Sequence, residues 1–427
     1  MNVAVIGGGY AGMAAAVTLA EAGVDVTLFE AGQQLGGRAR LVVVNGVALD
    51  NGCHLLLGAY TETLRLVRLV HPAPDRAFVR LPLDWHVHDG FRLKAAPLPA
   101  PLHLALGLAT ARGTPLRERI SAARFMSAMR KARYRLERDT TVSELLLANA
   151  QGPSFVRHLW EPLCVAALNT PPQRASAQVF LNVLRDGLAS DRAASELLLS
   201  RGDLSSLFPD PAADYVRAHG GTVATGQTVD AIERDGARVK LTARGTETRF
   251  DQAICAVSPH RASALLSALP QLRAQITAIE RFRYQPIYSV YLQFTQPFPL
   301  PAPMLGLGGI AQWLFDRDAL CGQRGLVAAV ISAEGPHQDM TQDALAAEVG
   351  NEIERALGPL PPLAWHRVIA EKRATFECTV GLERPGTRTA LSNVHLAGDY
   401  TASDYPATIE SAVRSGIGAA RQALEQA

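Results

Sequence analysis

Val3-Ala4-Val5-Ile6-Gly7-Gly8-Gly9-Tyr10-Ala11-Gly12 is the stretch whose reading decides the fold. An apolar strand, Asn2 to Ile6, runs straight into glycines at the spacing G-x-G-x-x-G. An alanine-rich amphipathic helix follows from Tyr10 to Ala22, and Val24 to Glu30 returns as a second strand that ends in an acid. Each element has a mechanical reason. Gly7 permits a tight turn, Gly9 lets the backbone approach a pyrophosphate, and Gly12 lets helix and strand pack closely. The helix N-terminus, with Tyr10 and Ala11 in its first turn, offers free N–H groups and a positive dipole end to phosphates. Glu30, followed by Ala31, is placed to accept hydrogen bonds from ribose hydroxyls. A ligand-free structural turn needs none of the flanking pattern, so the context of strand, loop, helix, strand and acid points to a dinucleotide site.

Working outward, 427 residues of which 48% are hydrophobic can bury a large core, enough for two or three structural units around one ligand. A net charge of +2 gives no whole-molecule case for nucleic-acid binding. The five cysteines, Cys53, Cys164, Cys255, Cys321 and Cys378, are widely spaced without CxxC or Cys/His ligand patterns. That suits a reducing compartment and argues against disulfides or a metal site. The N-terminus lacks the basic segment of a signal peptide. No apolar run reaches the roughly 18 residues of a membrane span, so the chain is expected to be soluble or at most peripheral.

Prolines at 72, 74, 82, 97, 99 and 101 punctuate the next region, followed by an arginine-laden helical stretch from Leu116 to Arg138. Val142 to Leu207 reads as mostly helical, with Trp160-Glu161-Pro162-Leu163 closing one helical turn and opening another. Strand patterning at Thr222 to Val223, Val229 to Glu233, Arg238 to Thr242 and Gln252 to Val257 reads as a short meander beside the nucleotide fold. Tyr288 to Phe294 and Leu326 to Ile331 are further strand-like segments, Val394 to Ala397 is a strand, and Thr408 to Glu425 is the last helix. The expected division is one discontinuous cofactor domain over 1–70, 205–260 and 385–427. A mostly helical region for substrate and membrane contact covers 71–204, and a substrate domain covers 261–384.

Gly32-Gln33-Gln34-Leu35-Gly36-Gly37-Arg38 follows the acid, and Val394-His395-Leu396-Ala397-Gly398-Asp399 precedes Ala407-Thr408-Ile409-Glu410-Ser411-Ala412 near the C-terminus. Together with the first loop, these resemble the FAD-binding superfamily of amine oxidases, protoporphyrinogen oxidases and carotenoid desaturases. The resemblance implies an α/β, Rossmann-like FAD-binding domain of the glutathione-reductase-like type, with a discontinuous α+β substrate domain and a helical region. It implies that Gly36, Gly37 and Arg38 approach the diphosphate and flavin, and that Gly398 and Asp399 meet the ribityl or phosphate region. Thr408 and Ile409 would open a helix whose N–H groups stabilise negative charge on the reduced ring. Val229 stands where such proteins touch the adenine end; core packing explains it equally well.

The segment Leu49-Asp50-Asn51-Gly52-Cys53-His54-Leu55-Leu56-Leu57-Gly58-Ala59-Tyr60 is more distinctive, and resembles the hydroxysqualene dehydroxylases, where Gln usually stands in place of Cys53. Leu159 to Leu163, Ala166 to Pro171 and Asp399 to Gly416 resemble the same branch. The implied reaction removes the allylic hydroxyl of hydroxysqualene to give squalene, within hopanoid or related triterpenoid supply. The hydroxyl must leave as water, which needs a proton donor, and the allylic cation must be trapped by hydride from reduced flavin. Candidate acids are His54, Asp404 and Tyr405, with a second cluster at Asp84, His86 and His88; each of these residue types is also common as a satisfied structural group. Cys53 is assigned to packing, on the reasoning that neighbours along a strand point to opposite faces.

Two other readings fit the same cofactor site: an oxidative carotenoid or phytoene desaturase, and a non-catalytic FAD-binding escort for prenyl lipids. A thirty-carbon substrate has to come from a bilayer or directly from the preceding pathway enzyme. Pro97 to Ala109 is apolar, and basic residues dominate from Arg112 to Arg138. That combination suits peripheral contact with anionic lipid, at the inner face of the membrane for a cytoplasmic protein.

Overall fold

A computed structural model describes residues 1–426. Its organising layer is a parallel sheet in the order Thr222–Ala224, Asp25–Phe29, Asn2–Ile6, Gln252–Cys255, Val394–Leu396. Strand alternation sends the two sets of side chains into different cores. Val3, Val5, Val26, Leu28 and Ile254 pack under helices Tyr10–Glu21, Pro209–Ala218 and Ile409–Leu424. Ala4, Ile6, Ala253 and Cys255 face the other way, toward Ile232, Val239, Leu241 and Phe250 of an antiparallel meander. Burial on both faces explains why these strands read as continuous apolar runs.

Two sequence expectations need correction here. Thr222–Ala224 and Gln252–Cys255 are strands of the parallel sheet, not of the meander. The meander itself consists of Val229–Asp235, Arg238–Ala243 and Thr246–Phe250. Its third strand is Thr-Glu-Thr-Arg-Phe, whose first four residues are exposed, so it carries almost no apolar signal.

The second large sheet is antiparallel, in the order Met304–Gly306, Trp313–Asp316, Leu326–Ser332, Tyr284–Phe294, Leu363–Phe376. Helix Gln342–Leu357 covers one face, where Val290 and Leu292 meet Leu345, Val349 and Ile353. Tyr291, Ala328 and Phe315 on the other face join the main core. The fourteen-residue edge strand Leu363–Phe376 escapes sequence reading because Arg367, Glu371, Lys372 and Arg373 interrupt its pattern, as is common for an edge kept from further pairing.

Region 71–204 is largely helical but also holds short strands at Phe78–Leu81, Asp84–His86, Arg92–Lys94 and Leu197–Ser200. The arginine-rich helix spans Leu116–Lys131 and stops short of Arg138, since Arg133 and Tyr134 adopt left-handed backbone with φ 53° and 55°. Around Trp160-Glu161-Pro162, a wide-turn segment Val156–Trp160 hands over to helix Glu161–Leu168. Asn169 ends that helix with φ 45° and ties it to the antiparallel sheet, donating to the Pro286 carbonyl and Thr375 Oγ1 and accepting from Ala333 N–H.

Candidate active site

The glycine loop is shaped by contacts that leave no room for side chains. Gly7 has φ 108°, and a Cβ there would lie 2.7 Å from the Ala256 carbonyl oxygen; one on Gly12 would lie 1.9 Å from the Gly7 carbonyl oxygen. Gly9 differs. A Cβ on Gly9 would meet only the Gly37 Cα at 3.9 Å, so its open side faces space rather than protein. The second glycine turn lies alongside: Gly36 N–H donates to the Gly8 carbonyl at 2.8 Å, and Gly36 pairs with Gly9 in a single parallel bridge. Helix Tyr10–Glu21 starts with no side-chain cap and no acid in its first turn, leaving its first N–H groups available to an anion. This cradle fits a pyrophosphate.

Glu30 grips both loops at once. Its Oε2 accepts from Gly8 N–H at 2.6 Å and its Oε1 from Gly32 N–H at 2.7 Å. A carboxylate has about four acceptor sites, so two remain for ribose hydroxyls. Ala31 is exposed next to it. Tyr10 contributes no side chain to the cradle: its hydroxyl donates to the Leu204 carbonyl at 2.9 Å and its ring packs on Phe208 in the core. Only backbone N–H groups of Tyr10 and Ala11 can therefore serve a ligand. Val229 is half-buried at the start of the meander, opposite Ala243.

The two distant motifs meet directly. Arg38 Nη2 lies 2.6 Å from Asp399 Oδ1, and its Nη1 also donates to the Ala374 carbonyl. Burial disfavours the charge on Arg38, but the Asp399 carboxylate outweighs it and the guanidinium pKa is raised. Gly398 bends the chain here with φ 152°, and the Tyr400 ring fills the space a side chain would need. Thr408 caps helix Ile409–Leu424, accepting from Ser411 N–H at 3.1 Å, with half-buried Ile409 as the first helical residue.

Glu410 is a residue whose part the sequence reading did not foresee. Its buried carboxylate accepts from Glu62 N–H, Thr63 N–H, the Thr63 hydroxyl and Arg414 Nε, capping helix Thr61–Val70 from the far end of the chain. A carboxylate at a helix N-terminus is a recognisable motif when the two are adjacent in sequence; here they are more than 340 residues apart.

His54 is half-buried, with Nδ1 2.7 Å from the Gly52 carbonyl. Because a carbonyl only accepts, Nδ1 carries the hydrogen and Nε2 is the free position. Burial, reinforced by the Arg38 charge and opposed by the Gly52 hydrogen bond, lowers the imidazole pKa below its usual 6.5. Asp404 and Tyr405 lie on the loop before the last helix, which Arg384 holds by donating to the Ser403 and Tyr405 carbonyls. The Asp404 carboxylate is 57% exposed, with Arg185 at 4.0 Å. The Tyr405 hydroxyl bonds to Asp186, and burial together with the Asp186 charge raises its pKa.

Of the second cluster, Asp84 is engaged in an ion pair and His86 has its pKa lowered by burial. Asp84 accepts from Arg92 Nε and Nη2 at 2.8 and 2.6 Å across a hairpin, while the intervening Trp85 is buried against Trp313. Cys53 has a thiol pushed up to about 12 by burial, as suits packing, although residues 51–55 lie outside any strand and the alternation argument does not apply. Among the described residues no cluster of His, Cys, Asp and Glu is arranged to hold a metal, and all five cysteines are free.

A parallel sheet topped by paired glycine turns, joined by an Arg–Asp bridge to a C-terminal strand and helix, defines a flavoprotein oxidoreductase. The chain belongs to the flavin-containing amine oxidoreductase family, whose model matches residues 10–424. Within it, the chain is 32% identical to the hydroxysqualene dehydroxylase of Rhodopseudomonas palustris, over 98% of this chain and 97% of that one. A zeta-carotene desaturase of Synechocystis is 26% identical, over 99% of this chain and 97% of its own length. In fold, the chain is similar to the cyclohexylamine oxidase from Brevibacterium oxydans, with TM-score 0.70, 18% identity and coverage of 100% of this chain and 99% of that one. The chain is an enzyme of the flavin-dependent oxidoreductase class.

Proposed function

We propose that the protein binds FAD and reductively dehydroxylates hydroxysqualene to squalene. Likeness along nearly the whole length to hydroxysqualene dehydroxylases, at 32%, 28% and 30% identity, supports the substrate. The observation that carries the chemistry is the Arg38–Asp399 bridge, which joins the second glycine turn to the C-terminal motif and whose guanidinium is near enough to His54 to help lower its pKa. In this reading the parallel-sheet segments 1–70, 205–260 and 385–427 hold the cofactor, and 71–204 with 261–384 shape the apolar substrate space. Both of these regions contribute side chains to the main apolar core, among them Trp85, Phe180 and Tyr291.

Bound here and reduced, a flavin would supply a hydride to the allylic carbon, and the hydroxyl would leave with a proton as water. The residues of this chain bind, shield and protonate. The Gly9 and Gly36–Gly37 backbone and the first turn at Tyr10 and Ala11 hold the pyrophosphate, and Glu30 the ribose. Arg38, Asp399 and the Thr408–Ile409 helix start set the charge at the ring. His54 donates the proton through Nε2 when charged; Asp404, more exposed, and Tyr405, engaged with Asp186, are second and third candidates. The substrate is drawn from the inner face of a membrane on which the protein sits peripherally; among the described residues no helix is long and apolar enough to cross one.

Anaerobic incubation of the dithionite-reduced protein with hydroxysqualene should yield squalene together with oxidised-flavin absorbance. Unchanged substrate and still-reduced flavin in a flavin-loaded protein would sink the assignment. Likeness to the zeta-carotene desaturase keeps one second reading, oxidative desaturation, which the same product analysis separates: new double bonds instead of lost oxygen.

A further inference from the structure

Helix Leu102–Ala109 is apolar on both sides. Its inner face, His103, Leu104, Gly107 and Leu108, is buried, and His103 Nε2 donates to the Leu188 carbonyl at 3.1 Å. The outer face, Leu102, Ala105, Leu106 and Ala109, is exposed and carries no polar side chain. A helix that is hydrophobic all round belongs in a core or in lipid, not at a water interface. Helix Leu116–Lys131 lies beside it, with Arg119 donating to the Thr114 carbonyl and reaching back to that of Ala109. Leu98, Leu102, Leu106, Leu116 and Ile120 are each 37% to 65% exposed, and they are five of the eleven large apolar side chains that the described residues leave exposed. Five within residues 98–120, on or beside two helices in contact, is a concentration of exposed apolar side chains rather than scatter.

Charge around the patch is one-sided. Arg117, Arg124 and Lys131 recur every two helical turns along one exposed line beside Ile120. Among the described residues none of these three, nor Arg112 or Arg130, has an acidic partner within 4.0 Å. Elsewhere exposed arginines are commonly paired, as in Arg217–Asp214, Arg249–Asp235, Arg355–Glu348 and Arg388–Glu425. The one acid of this helix, Glu118, is turned inward and buried, its carboxylate accepting from Ser154 and Phe155 N–H.

We infer that this two-helix ledge docks on an anionic phospholipid bilayer, with Leu102, Leu106, Leu116 and Ile120 in the acyl boundary and Arg117, Arg124 and Lys131 at the phosphates. Apolar insertion plus a basic fringe is the combination interfacial binding requires. A second copy of this chain fits poorly, because two-fold pairing would set the same cations against each other. The inference deepens the proposed function by assigning its membrane contact to named residues, and rests on it only in making the bilayer the source of substrate.

The test is co-sedimentation of the flavin-loaded protein with phosphatidylglycerol-containing and with pure phosphatidylcholine vesicles. Binding to the former should exceed binding to the latter at least tenfold and weaken with salt. Arg117→Gln with Arg124→Gln should lower it by about 25-fold, at roughly fivefold for the 1 kcal/mol each basic residue contributes near such a surface. Leu102→Ser with Leu106→Ser should abolish it, with flavin content and thermal midpoint showing that both variants are folded. Equal binding to both vesicles, no binding by the unmodified protein, unaltered binding by the folded variants, or a dimer that the leucine variant dissociates would each overturn the inference. Turnover of detergent-dispersed hydroxysqualene separates the two claims: it persists if only the docking assignment fails, and is absent if the function assignment fails.

Discussion

His54 shows how a single side chain can be recognised before its chemical state is known. The sequence places it in Asp50-Asn51-Gly52-Cys53-His54, but its tautomer is set by the Gly52 carbonyl and its pKa by burial and Arg38. As the acid it must be charged, and the charged form exists only below its pKa. The sign follows: with that pKa lowered from 6.5, kcat/KM should fall as pH rises, with a midpoint under 6.5. His54→Gln should retain flavin and lose roughly 10²–10⁴ in kcat, the usual weight of a positioned acid. A pH profile flat from about 5 to 7.5, or a fully active glutamine variant, moves the role to Tyr405 or Asp404. The Arg38–Asp399 bridge teaches the complementary lesson. Each partner was expected to reach the cofactor, and the structure adds that they hold each other.

At the scale of elements, the seating of the last helix on the first depends on the absence of a side chain. A Cβ on Gly416 would lie 2.0 Å from the Ala11 carbonyl oxygen and 3.1 Å from Ala15 N, so helices Tyr10–Glu21 and Ile409–Leu424 touch backbone to backbone there. Gly416→Ala should cost about 1–3 kcal/mol, the range for overpacking a fitted contact, seen as a lower denaturant midpoint at unchanged slope. It should also weaken flavin retention, because both helix N-termini border the cradle. Gly418→Ala is the control: nothing lies within 4 Å of that Cβ, so the alanine should be neutral or stabilising by up to about 1 kcal/mol through helix propensity. A destabilised Gly418 variant beside an unaffected Gly416 variant would refute this packing account.

Across the whole molecule, the proposed cofactor site draws on segments near residues 7–12, 30–38 and 398–409, tied into the fold by Glu30, the Arg38–Asp399 bridge and the Glu410 cap. A ligand that spans all three binds the folded chain and not the unfolded one. Flavin at about 100 times its dissociation constant should therefore stabilise the fold by about 2.7 kcal/mol, raising the thermal midpoint with concentration. FAD should do this and NAD should not; a midpoint indifferent to FAD would show that the three segments do not share it.

The first βαβ unit, the glycine spacing and the C-terminal Gly-Asp were legible in the sequence because each is local: a periodic apolar run, a turn only glycine can make, an acid at a strand end. Those signals were enough for the Rossmann-like half and pointed to the residues proposed for the cofactor, and the full-length likeness carried the family. What had to wait for the tertiary structure involved partners far apart in the chain. Thr222–Ala224 and Thr246–Phe250 were misassigned or missed because three to five residues carry too little pattern, and Leu363–Phe376 because charges mask an edge strand. Glu410 capping a helix at Thr63, Tyr10 turned into the core, and Asp84 neutralised by Arg92 all depend on which surfaces come to face one another. Spacing in a sequence reports the conformation of a segment, whereas a hydrogen bond or ion pair across hundreds of residues exists only once the core has closed.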